Sequence, residues 1–125
     1  MNAREILKDR HGVVRSIPPD ATVFEAVQAM DKFKVGALMV IDDGKLLGLI
    51  SERDYTRKVA LKDRSSKTTK VSEIMTHKIA HVEPEVGIEK CMDIMCKRRI
   101  RHLPVVEKGK VLGVISSTDL LLLTV

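Results

Sequence analysis

The chain contains a copy of itself. Residues 17–55 return without a gap as residues 82–120, a shift of 65 positions that gives 12 identities in 39 aligned places. Pro19, Met30, Lys32, Leu38, Val40 and Gly44 fall on Pro84, Met95, Lys97, Leu103, Val105 and Gly109. Lys45, Leu47, Gly48, Ile50, Ser51 and Asp54 fall on Lys110, Leu112, Gly113, Ile115, Ser116 and Asp119. Many of the other positions exchange one apolar residue for another. A unit of about 60 residues lies near the lower limit for burying its own core, so the two copies are expected to pack together. A polar signature that repeats with the fold marks two equivalent sites, and function is sought there.

Composition narrows the classes. With 44% hydrophobic and 31% charged residues in 125, the chain has the make-up of a soluble globular protein. No apolar run approaches the roughly 20 residues of a membrane helix. The start Met1-Asn-Ala-Arg-Glu5 has no signal-peptide core, and the expected location is cytoplasmic, away from membranes. Cys91 and Cys96 are five apart, match no CxxC spacing and read as reduced thiols in a helical core. The four histidines are scattered and no metal site is expected. The formal charge of +5 suits either nucleic acid or a pocket for a small phosphorylated ligand. Phe24, Phe33 and Tyr55 are the only aromatics, too few for a base-stacking platform. No helix shows a base-reading face, and the basic residues are dispersed, which argues against nucleic acid.

Periodicity and punctuation give the elements. A short helix is expected over Asn2–Arg10, stopped by Gly12, then a strand over Val13–Ile17. Pro18-Pro19-Asp20 breaks the chain. Thr22-Val-Phe-Glu25 is a capping box opening a helix to about Lys34, with Val23, Val27 and Met30 on its apolar face. Leu38–Ile41 and Leu46–Ile50 flank Asp42-Asp-Gly-Lys45, a hairpin signal. Ser51 caps a helix from Glu52 to Leu61. Lys62–Lys70 is polar and aperiodic, a linker, and Val71–Met75 is a turn of helix. The cycle then repeats: a strand over Ile79–Val82, a helix over Gly87–Arg99 burying Ile88, Met92 and Met95, strands over Leu103–Val106 and Val111–Ile115, and a closing helix capped by Ser116. The expected fold class is α+β, two β-α-β-β-α repeats packed about a pseudo-two-fold axis. The expected segments are an N-terminal helix over 1–12, repeats over 13–61 and 76–125, and a linker over 62–75.

The order of elements, the 65-residue spacing and the repeated G-h-h-S-x-x-D (Gly48 to Asp54, Gly113 to Asp119) resemble a tandem pair of cystathionine-β-synthase-type (CBS) domains, the Bateman module. The resemblance runs from about Val13 to the C-terminus. One G-h-h-S-x-x-D is a weak pattern; two at equivalent hairpin ends are a specific one.

Ser-x-x-Asp after an apolar strand is first of all a helix cap. Ser51 and Ser116 would accept from the third helical N–H, and Asp54 and Asp119 would complement the helix dipole. Two features favour a ligand instead. The reciprocal box prefers the longer Glu or Gln, yet both copies use Asp. The glycine three residues before each serine leaves backbone open to close approach. A helix N-terminus with a serine hydroxyl offers donors to an anion, and a carboxylate beside it suits the two hydroxyls of a ribose. Together they favour a nucleotide.

The resemblance implies adenosine compounds bound in two clefts between the repeats, with the motif aspartate on the ribose. By position, one cleft would use Ser116, Asp119 and Val114, facing Arg15, Ser16, Val35, Gly36 and Ala37. The other would use Ser51, Asp54 and Leu49, facing Thr76, Ile79, Ala80, His81, Ile100, Arg101 and His102. Arg101 and His102 are placed to face phosphate. Arg53 and Arg57, four apart on one helical face, could add charge to the first-repeat motif. Gly36 and Ala37 stand where the second repeat has Arg101 and His102, so the two sites are expected to be unequal. The ligands implied are AMP, ATP or NAD(H), with S-adenosylmethionine a weaker candidate. Four consecutive leucines, Leu120 to Leu123, exceed what one helical face needs, and the resemblance implies a homodimer joined through helices.

No nucleophile–base pair, P-loop, dinucleotide fingerprint or metal motif is present, so the chain is not expected to be an enzyme. The expected function is a stand-alone regulatory module that senses adenosine nucleotides and passes a conformational change to a regulated protein. The alternatives are a ligand-free interaction or dimerisation module, in which Ser-x-x-Asp only caps helices, and a basic nucleic-acid-binding regulator.

Overall fold

The computed structural model describes residues 1–8 and 15–124. In order it contains α1 (Ala3–Lys8), β1 (Ser16–Ile17), α2 (Val23–Phe33), β2 (Ala37–Asp42), β3 (Lys45–Ser51), α3 (Glu52–Lys58), a 3-10 turn (Ala60–Lys62), α4 (Val71–Ile74), α5 (Ile88–Arg98), β4 (His102–Glu107), β5 (Lys110–Ser116) and α6 (Ser117–Thr124). This is the α+β order read from the sequence. Val13 and Val14, and the end of the expected first helix, lie outside the described residues. Two compact units emerge, one of Arg15–Ile79 and one joining Met1–Val14 to Ala80–Val125; they are called the first and second units.

In the first unit β1 runs parallel to β2, and β2 pairs antiparallel with β3 from Ala37↔Ser51 to Asp42↔Lys45. Asp43 (φ 51°) and Gly44 (φ 78°) make the turn, the double positive φ that matches strand twist in a two-residue hairpin. Thr22 and Glu25 form the expected capping box, with Glu25 N–H on Thr22 Oγ1 at 3.1 Å and Thr22 N–H on Glu25 Oε1 at 3.2 Å. Val23, Ala26 and Met30 of α2 meet Leu38, Val40 and Ile50 of the strands in a core closed by Val59, Val71 and Ile74.

The second unit repeats the hairpin and the helix end 65 residues on, though Gly87, at the start of α5, has no side chain to cap it. Lys108 (φ 53°) and Gly109 (φ 82°) turn the hairpin, and Arg99 (φ 54°) ends α5 as Lys34 (φ 56°) ends α2. The register shift between Val40 and Ile41 recurs between Val105 and Val106. Cys91, Met95, Leu103, Val105 and Ile115 form the core with Ala3, Ile6, Val82 and Leu120.

The differences have local causes. The strand expected over Ile79–Val82 is reduced to one bridge, Val82↔Val105. In the first unit Met39 donates its N–H to Arg15 O at 3.1 Å; Pro104 stands in Met39's place and has no N–H to give. On α5 Cys91 and Met95 are buried as expected, but Met92, also expected to be buried, is 41% exposed, because the small residue (Ala26 in α2) is the one that packs on the strands. Cys96 is exposed, not core. Helix α3 stops at Lys58, short of Leu61, and passes into the 3-10 turn.

The units also divide the chain differently from the sequence segments. Segment 1–12 does not stand apart. Its helix joins the second unit through Ala3 N–H on Val86 O (2.8 Å), Arg4 N–H on Pro84 O (2.9 Å) and Ile88 N–H on Met1 O (3.0 Å). In the first unit α4 does the same through Val71 N–H on Ala21 O (2.8 Å), Ser72 N–H on Pro19 O (3.0 Å) and Val23 N–H on Thr69 O (2.8 Å). Ala3 and Ile6 correspond to Val71 and Ile74 with an offset of 68, so the repeat extends upstream by a short helix that a 65-residue shift misses. At α4 the Lys70 N–H reaches Glu73 Oε2 at 2.7 Å, and this bond, with help from Arg64, holds the Glu73 carboxyl below the ordinary range.

Candidate functional site

Both Ser-x-x-Asp motifs fold as caps. Asp54 N–H donates to Ser51 Oγ at 3.1 Å, while the Asp54 carboxylate accepts from Ser51 N–H at 3.0 Å and from the Ser51 hydroxyl at 3.1 Å. The shorter Asp thus closes the reciprocal box that was expected to prefer Glu or Gln. In the second unit Asp119 N–H donates to Ser116 Oγ at 3.1 Å and Ser116 N–H to Asp119 Oδ2 at 2.8 Å. The glycine's close approach is also accounted for within each unit. A Cβ on Gly48 would lie 2.7 Å from Thr76 O and 2.9 Å from Met75 Sδ; on Gly113 it would lie 2.9 Å from Leu7 Cδ2. Two features that favoured a ligand over a cap are therefore built into the fold.

The surroundings of the two aspartates differ. Asp54 is 7% exposed. Its Oδ1 takes the Lys58 ammonium at 2.9 Å and the Thr76 hydroxyl at 3.2 Å, and Lys58 also donates to Ile74 O at 2.9 Å. Lys58 was missed in the sequence, although its i,i+4 spacing from Asp54 was visible. Ser116 and Asp119 are only partly buried. His102 pairs across the ladder with Ser116, which puts the two side chains on one face, and Arg101 O accepts the Ser117 N–H at 2.8 Å. Both Arg101 and His102 are exposed. In the first unit Ala37 faces Ser51 and Gly36 O accepts the Glu52 N–H at 3.0 Å, so the basic pair has no counterpart, as the sequence indicates.

The CBS domain family model matches this chain twice, over residues 3–61 and 71–124. The chain is a CBS-domain protein. The matched spans begin upstream of the strands and take in α1 and α4. A CBS domain-containing mitochondrial protein of Arabidopsis thaliana, CBSX3, is 44% identical over 105 residues, covering 80% of this chain and 51% of its own length; the chain therefore spans about half of that relative. A Burkholderia ambifaria protein with CBS domains has a solved structure that matches with a TM-score of 0.81 at 39% identity, over 100% of this chain and 94% of that one. A hexameric CBS-CP12 protein from bloom-forming cyanobacteria matches with a TM-score of 0.71 at 34% identity, over 97% of this chain and 66% of its own.

The structure gathers the remaining CBS site candidates by unit. Leu49 bridges Thr76 through N–H on Thr76 O at 2.9 Å and C=O on Thr76 N–H at 2.8 Å. Arg53 and Arg57 are exposed on α3. Arg15 stacks its guanidinium 4.0 Å over the Phe33 ring, a cation–π contact, and Ser16 pairs with Met39. Val35 and Gly36 line a cleft of about 520 Å³ between α2 and α3, together with Met30, Lys34, Glu52 and Tyr55. Val114 pairs with Pro104 on the second-unit hairpin; Ile79, Ala80 and Ile100 are half-buried and His81 is exposed. Burial raises the Cys91 thiol pKa. Among the described residues no helix is long and apolar enough to cross a membrane.

Proposed function

We propose that this CBS-domain protein is a regulatory module that binds an adenosine nucleotide at its Ser-x-x-Asp motifs. The observation that carries the reading is the motif end of the second unit. There a hydroxyl (Ser116), a carboxylate (Asp119) and two exposed basic side chains (Arg101, His102), which the family resemblance sets opposite Ser51 and Asp54 instead, lie at one strand end that opens α6. A carboxylate takes the vicinal hydroxyls of a ribose, and Arg and His take phosphate. AMP, ATP and NAD(H) share this chemistry; S-adenosylmethionine lacks the phosphate. Binding that favours one conformation of the module shifts its population toward that state, and a regulated protein would read the shift. Calorimetric titration with AMP, ATP and NAD(H) is expected to show binding that Asp119→Asn weakens at least tenfold, a loss of about 1.4 kcal/mol. No heat from any of them at millimolar concentration would remove the reading.

The module is further proposed to self-associate through α6. Leu120 is buried, but Leu121, Leu122 and Leu123 are 64%, 73% and 38% exposed, a contiguous apolar surface of the kind that marks an interaction site. A second copy of the chain is the proposed cover, consistent with the hexameric assembly of the cyanobacterial relative. Sedimentation velocity is expected to show a dimer or larger for the wild-type chain and a monomer for Leu122→Glu. A wild-type monomer at tens of micromolar would exclude this surface.

A further inference from the structure

The Asp54 carboxylate does more than close a cap. It fastens the segment Ile74–Thr76, at the end of α4, to the turn where β3 becomes α3. Lys58 Nζ spans from Asp54 Oδ1 to Ile74 O, both at 2.9 Å. Thr76 Oγ1 reaches the same carboxylate at 3.2 Å, and the Thr76 backbone exchanges both hydrogen bonds with Leu49. Gly48 lets the segment lie against bare strand backbone. The second motif carries other residues at the two polar positions: Leu123 stands 65 places after Lys58, and Lys8 stands at Thr76's place relative to the short helix. The Lys58–Thr76 clasp thus belongs to the first motif.

We infer that this clasp is a latch that a ligand diol must open. A vicinal diol donates to both oxygens of a carboxylate, but Asp54 Oδ2 is held by Ser51 and Oδ1 by Lys58 and Thr76. Oδ1 is the oxygen the diol gains by displacement. Thr76 is exposed, so the clasp can be reached from solvent. Occupation of Asp54 by a diol then releases the Thr76 hydroxyl and loosens Ile74–Thr76, which turns binding into movement of a chain segment. The inference rests on the nucleotide reading for its ligand and on the geometry alone for its latch, and the two are separable.

The test uses amide hydrogen exchange and AMP titration on the full chain, in an Asp119→Asn background so that the first motif is followed. Thr76→Val keeps the side-chain shape and removes the hydroxyl; Lys58→Met keeps the stem and removes the charge. Without ligand, each is expected to speed exchange at the Leu49 and Thr76 amides by about five- to tenfold, the loss of one hydrogen bond, while the β2–β3 ladder keeps its rates. AMP is expected to speed the same two amides in the background protein and to bind Thr76→Val several-fold more tightly, because a competitor has gone. Unchanged exchange in both variants overturns the latch. Faster exchange with weaker AMP binding overturns the competition and makes Thr76 a ligand contact. Faster exchange with no AMP binding in this background leaves the latch standing and removes its ligand, while the nucleotide reading at the second motif is decided by the titration of the wild-type chain.

Discussion

Replacing Gly48 by alanine is expected to cost about 2–4 kcal/mol and to lower the melting temperature by roughly 10 °C. The new Cβ would sit 2.7 Å from Thr76 O and 2.9 Å from Met75 Sδ. Met75 is a flexible side chain and can turn away. Thr76 O is backbone, and it is fixed because it accepts the Leu49 N–H at 2.9 Å while Thr76 N–H returns a bond to Leu49 O. Relief requires breaking that pair or shifting β3 against Val40, its partner across the ladder. Gly113→Ala is the internal control. Its Cβ meets Leu7 Cδ2 at 2.9 Å, the far end of a half-buried side chain on α1, which yields more cheaply than backbone does, and the expected cost is about 1 kcal/mol or less. Thermal unfolding of the two variants, followed by circular dichroism, separates them. Equal losses would show that the Thr76 segment yields as easily as a leucine side chain.

That contrast shows where sequence reasoning reached and where it stopped. The 65-residue shift places the hairpins and the turn glycines, and the local Thr22–Glu25 pattern places its capping box, because each is encoded by neighbours in sequence. It also yields the pairs Met30/Met95, Leu38/Leu103 and Ile50/Ile115, which the structure buries as equivalents. The short helices α1 and α4 escape it because their offset is 68 and because they pack on Pro84–Val86 and Pro19–Ala21, far from them in sequence. The single-residue bridge at Val82 depends on one proline, Pro104, whose effect falls on a segment more than 20 residues earlier. At the motifs the residue types were legible and the partners were not. Aspartate in place of glutamate pointed to a ligand, yet the backbone brings Asp54 and Asp119 close enough to close their own boxes. Lys58 was visible as an i,i+4 partner, but its bond to Ile74 O joins positions 16 apart and no local pattern announces it.

The setting of Asp54 leads to the second large effect. Asp54→Ala is expected to cost about 3 kcal/mol. The variant loses the cap, the acceptor for the Thr76 hydroxyl and the counter-ion of Lys58, at a position 7% exposed where Ser51 N–H has no ready replacement in water. Asp54→Asn keeps an oxygen for Ser51 N–H and is expected to recover part of the loss. The remainder belongs to the charge, and Lys58→Leu, which installs the residue of the second repeat, tests it. The Lys58 side chain is 44% exposed, so solvent screens the pair and the coupling in an Asp54→Asn, Lys58→Leu cycle is expected to be about 0.5–1 kcal/mol. Urea unfolding of the four proteins gives the coupling directly. A value near zero would assign the burial of Asp54 to its hydrogen bonds with Ser51 and Thr76 alone, and a loss of about 1 kcal/mol or less for Asp54→Ala would show that the cap is all the carboxylate supplies.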